Sequence, residues 1–106
     1  MGHDIFAYNK ANQEVAYARF SMFNDNSYIL YDLLQAREFH AGVSGSGVCV
    51  EFSDVMMNQV MQDCNLLFPK NDRANRRDID VKQIQGFIKN SYEAAKNEGS
   101  VKICFG

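Results

Sequence analysis

His40-Ala41-Gly42-Val43-Ser44-Gly45-Ser46-Gly47-Val48-Cys49-Val50-Glu51-Phe52 divides the chain into two halves of different character. The segment before it, 28–39, is densely apolar and helix-like. From Val48 to Phe52 the residues are β-branched or aromatic on every position but two, as a strand requires. Three of the seven glycines fall in the connecting octapeptide. Clustered glycine and serine either turn the chain or leave bare backbone amides facing a ligand.

Downstream of this pivot, Ser53 has the character of a helix N-cap. Phe52 and Met57 stand at the spacing of a hydrophobic staple around it. Met56, Met57, Val60, Met61, Cys64, Leu67 and Phe68 recur with helical spacing, which predicts a helix from about 54 to 67, stopped by Pro69. Residues 69–78 read as a polar linker. Asp80 followed by Gln83 has the spacing of a second helix start. Val81, Ile84, Phe87, Ile88, Tyr92 and Ala95 supply the apolar face of that helix, and Gly99 its C′ stop. Gly86 inside it costs about 1 kcal/mol against alanine and is expected to mark a close helix contact. Val101 to Phe105 reads as a final strand.

Upstream, Asn24-Asp25-Asn26-Ser27 collects side chains that accept from first-turn amides, predicting a helix over 28–39. Ile5 to Tyr8 and Glu14 to Phe20 read as two strands of a hairpin around the polar stretch 9–13. In the second strand Val15, Tyr17 and Arg19 share one face, and Ala16, Ala18 and Phe20 the other, where the small alanines would let a helix close in. The order ββαβααβ predicts an α+β fold of two layers over residues 1–106 as one domain. Its sheet has four mostly antiparallel strands, with two to three helices packed on it.

Composition narrows the function. Eleven basic against thirteen acidic residues give a net charge of −2, whereas nucleic-acid binders carry a basic excess, so no nucleic-acid partner is expected. The one basic cluster, Lys70, Arg73, Arg76 and Arg77, is interleaved with Asp72, Asp78 and Asp80 and reads as a solvated turn. No stretch approaches the roughly 20 apolar residues of a membrane span, and no signal segment is visible. Three widely spaced cysteines, Cys49, Cys64 and Cys104, form no CxxC and read as free thiols of a cytoplasmic protein. His3 and His40 belong to no metal-binding pattern, and no metal or cofactor is expected.

The glycine run fails the spacing of a dinucleotide fold, a P-loop and a hydrolase elbow. These absences favour a non-catalytic binding module with a protein partner or a small anionic ligand. Its surface is expected on the helix 28–39, the loop 40–47 and the exposed face of the first hairpin, where Tyr17 and Arg19 would stack on or pair with an anionic planar ligand. A second reading places a phosphorylated or nucleotide-like ligand on His40, Ser44, Gly45, Ser46 and Gly47. A third is a small hydrolase or transferase using His40 with Cys49 or Ser44. Two open sheet edges and the apolar helix also suit a homodimer.

Overall fold

Alternation along each strand decides which side of the sheet is buried. A computed structural model of the chain describes residues 2–68 and 79–106. The strands are β1 (Gly2–Tyr8), β2 (Glu14–Ser21), β3 (Val48–Ser53) and β4 (Ser100–Phe105). The helices are α1 (Ser27–Leu33), α2 (Asp54–Leu67) and α3 (Ile79–Glu98), and a 3-10 turn at Arg37–Phe39 follows α1. All pairings are antiparallel, and the strands lie in the order β2-β1-β4-β3. The chain is therefore an α+β protein with the expected element order.

On one side of the sheet Ile5 lies between Ala18 and Phe105, and Ala7 between Ala16 and Ile103; all six are buried. Phe20, Phe52 and Val101 extend this layer, and α2 and α3 cover it through Met57, Val60, Ile84, Phe87 and Ile88. Ala16 and Ala18 present little bulk, so α3 packs closely along β2. Each large side chain buried here contributes roughly 1.5–3 kcal/mol.

The helix ends show where local signals hold. Ser53 caps α2 by accepting from the Met56 amide at 3.1 Å, and Phe52 and Met57 are both buried as a staple requires. Gly99, at φ 89°, ends α3 and donates to the Ala95 carbonyl at 2.7 Å. The helix expected over 28–39 is broken. Gln35 takes a left-handed φ of 53°, Ala36 donates to the Tyr31 carbonyl at 2.8 Å and Gln35 to the Asp32 carbonyl at 3.0 Å. That double closure is a Schellman stop, and it satisfies two carbonyls that a helix end would otherwise leave exposed.

Other signals are used differently from expectation. Asn26 occupies the cap position of α1 without a side-chain capping bond. Its amide and that of Asn24 instead donate to Asp80 Oδ2 at 2.9 and 2.7 Å. Gln83 does not complete a capping box but reaches the outer edge of β2. Its Oε1 accepts from the Arg19 amide at 2.7 Å and its Nε2 donates to the Arg19 carbonyl at 2.9 Å. The Arg19 peptide faces outward because its partner Asp4 uses its own amide and carbonyl on Gly106. Gly86 meets open space, so the close helix contact expected there does not form. The linker 69–78 and its basic cluster lie outside the described residues.

The cysteines overturn a further expectation. Cys49 and Cys104 are register partners on β3 and β4 and are joined as a disulfide, with Cα atoms 3.9 Å apart. A sequence separation of 55 concealed a pair that strand pairing places face to face. Cys64 alone is free, buried in α2, and burial pushes its thiol up to about 11.

Candidate functional site

The glycine-serine loop folds onto the end of the sheet. Gly45 donates to the Gly106 carbonyl at 2.8 Å, Ser46 to Phe39 at 2.9 Å and Gly47 to Phe105 at 2.7 Å. The Ser44 hydroxyl donates to the Gly45 carbonyl at 3.1 Å. The Gly45, Ser46 and Gly47 amides, three of the donors on which an anion site was expected to rest, are thus taken up by the protein's own carbonyls.

Two histidines fasten the same loop from beneath. The Gly42 amide donates to His40 Nδ1 at 3.2 Å, and the Gly42 carbonyl accepts from His3 Nε2 at 3.0 Å. His3 is fully buried, and its Nδ1 accepts from the Tyr31 hydroxyl at 3.0 Å. Burial pushes that phenol up to about 12, so it remains a donor. The His40 ring lies between His3, with centroids 4.2 Å apart, and Tyr28, stacked at 3.8 Å. Arg37 covers the far face of Tyr28 at 4.7 Å and is held by two 2.7 Å bonds to Asp32. The result is a column of flat groups that pins the loop to α1.

This arrangement bears on nucleophilic chemistry. Ser27 Oγ stands 3.1 Å from His40 Nε2, a distance at which histidine activates serine elsewhere. Because His40 Nδ1 accepts from Gly42, the ring proton sits on Nε2 and is donated to Ser27. A ring in that tautomer does not take the proton of the hydroxyl, and Ser27 is buried. Cys49 offers no thiolate to His40, because its sulfur is bonded to Cys104. Ser44 is directed at Gly45, and no bond joins it to His40 among the described residues.

His40 does make stability depend on pH. Burial, then His3 and Arg37, hold its pKa below the ordinary value against the opposing effects of a backbone hydrogen bond and of Asp25. The unfolded chain therefore takes up this proton at a higher pH than the native one. Stability is complete above the unfolded pKa of about 6.5 and is lost as pH falls through the lower native value. We expect the melting temperature to decline between pH 7.5 and 5.5, and a His40→Gln variant to show a flatter profile over that interval.

No helix among the described residues lies on the opposite face of the sheet. Register places Tyr17, Phe6, Cys104 and Cys49 in one row across it, with Tyr8, Lys102 and Glu51 in the next. Phe6 lies 4.8 Å from Tyr17 and 6.1 Å from Tyr8 between ring centroids. Tyr17 is 42% exposed and donates to Asp4 Oδ1 at 2.6 Å, a bond that raises its pKa. Arg19 touches the same carboxylate at 3.4 Å from one side, and Lys102 lies 5.5 Å above the Tyr8 ring at the other. Beside Lys102 a polar hollow of about 220 Å³ is lined by Tyr8, Lys10, Asn12 and Glu51.

The residues singled out in the sequence therefore separate into two groups. His40, Ser44, Gly45, Ser46 and Gly47 build the pinned loop, and Tyr17 and Arg19 stand on the open face. His3 and Ser27 were not anticipated. The alternation of His3 with Ile5 and Ala7 does mark it as facing the core, whereas nothing local distinguishes Ser27. Phe6, Tyr8 and Lys102 follow from the same alternation once the register of β1 and β4 is known. Comparison of this chain with family models, curated proteins and solved structures finds no match.

Proposed function

We propose that the protein is a non-catalytic binding module whose working surface is the open sheet face, and that its ligand is a flat anionic ring. The observation carrying this reading is the contiguous aromatic set Phe6, Tyr8 and Tyr17, which no helix among the described residues covers and which the cations of Arg19 and Lys102 flank. Stacking on such rings contributes about 1–3 kcal/mol per flat group, and a guanidinium beside them adds attraction for both ring and anion. No helix among the described residues is long and apolar enough to cross a membrane. The expectation of a cytoplasmic setting drew on free cysteines, and the bridged pair removes that support, since structural disulfides persist in oxidising compartments.

Nucleoside monophosphates are suitable probes, because the chain has no tryptophan and five tyrosines report stacking by fluorescence. Saturable quenching and thermal stabilisation are expected, weakened roughly tenfold in Tyr17→Leu and in Arg19→Gln. A flat response across the panel would overturn the reading.

A further inference from the structure

The two edges of the sheet are treated differently. On β2 the Gln83 amide fills the ladder position at Arg19. On β3 the parity of the ladder is set by the Asp54 amide donating to Gly99 at 3.0 Å, which continues the register of Ser53 with Ser100. Val48, Val50 and Phe52 then bond inward to β4, and the backbones of Cys49 and Glu51 point outward. Among the described residues nothing bonds to these outward groups. Beside them an apolar groove of about 400 Å³ is lined by Leu34, Phe39, Val50, Phe52, Val55 and Met56, with Val55 74% exposed.

We propose that β3 is a self-pairing edge, joining two copies of this chain antiparallel about a two-fold axis at Val50. The sequence of the strand selects this occupant and this register. With Val50 on the axis, Cys49 exchanges backbone bonds with Glu51 of the second copy, and Glu51 with its Cys49. The outward amides and carbonyls of Cys49 and Glu51 in both copies are satisfied. On the groove side Val50 meets Val50 and Val48 meets Phe52, so apolar pairs fall opposite one another and the two grooves merge. A register centred on Cys49 sets Glu51 opposite Gly47, whose amide is already taken by the Phe105 carbonyl, and one centred on Glu51 sets two carboxylates face to face, which like-charge repulsion disfavours. The Cys49–Cys104 bond ties the edge strand to its neighbour β4. This interface stands independently of the ligand proposed for the open face.

Light scattering on the intact oxidised chain tests it. The unmodified protein is expected to have dimer mass at concentrations up to about 1 mM. Glu51→Pro removes an outward amide that β4 does not use, and proline is tolerated at such an edge position. This variant is expected to keep the fold and dissociate at least roughly tenfold more readily. Val48→Lys, at a position 38% exposed, should do the same by placing a charge against Phe52, and decides the matter if the proline variant does not fold. A monomeric parent protein would overturn the proposal and leave the rim to a strand of a different protein. So would folded variants that dimerise as the parent does.

Discussion

Reduction of the Cys49–Cys104 bond is expected to lower the melting temperature by roughly 20 °C. The bond closes a loop of 55 residues, and the chain entropy it withholds from the unfolded state corresponds to about 4 kcal/mol. A domain of this size has only about 5–15 kcal/mol of stability, and each kcal/mol moves its midpoint by about 4–8 °C. Melts with and without a phosphine reductant, together with the double variant Cys49→Ser, Cys104→Ser, check the figure. A thiol reagent should leave the native oxidised protein unlabelled, because Cys64 is buried and its thiol is pushed up to about 11. Strong labelling before reduction, or an unchanged midpoint after it, would contradict the account.

Gly45→Ala is expected to cost about 3 kcal/mol, the upper part of the range for overpacking. An added Cβ would stand 2.6 Å from the Phe105 carbonyl carbon and oxygen and 2.8 Å from the Gly106 oxygen, all of them backbone atoms. Relief requires the loop to lift from the end of the sheet, with loss of the Gly45–Gly106 bond. Gly42→Ala and Gly47→Ala meet open space and carry only the strain of φ 91° and 83°, on the order of 1–2 kcal/mol each. Urea midpoints should therefore rank Gly45 well ahead of the other two. A loop built to receive a ligand would give the reverse pattern, with stability preserved and binding lost.

The fold was legible where the signal is local and periodic. Ala16, Ala18 and Phe20 on alternate positions, and Met57, Val60 and Cys64 at helical spacing, declare their buried faces without knowledge of any neighbour. Ser53 declares its cap for the same reason. What escaped depends on partners far along the chain. Cys49 and Cys104 look solitary until β3 and β4 are in register. The 40–47 loop resembles a ligand cradle until Phe105 and Gly106 arrive to accept its amides. The break after Leu34 rests on Gln35 adopting a conformation that its residue type does not advertise. Asp80 and Gln83 carry a capping pattern, yet their side chains are drawn to Asn24, Asn26 and Arg19, which lie more than fifty residues away. On the open face, Tyr17 and Arg19 were identifiable from the alternation of β2, but the rows that add Phe6, Tyr8 and Lys102 exist only through pairing.

The hold of Gln83 on Arg19 has a consequence for how this protein behaves when crowded. A sheet with two exposed rims can recruit copy after copy and grow into a filament without end. Here a glutamine amide imitates a neighbouring peptide at Arg19 of one rim, so under the pairing proposed for β3 lateral growth by strand addition would have one preferred direction and stop after one step. On that proposal, one side chain would stand between a self-limiting assembly and an open polymer.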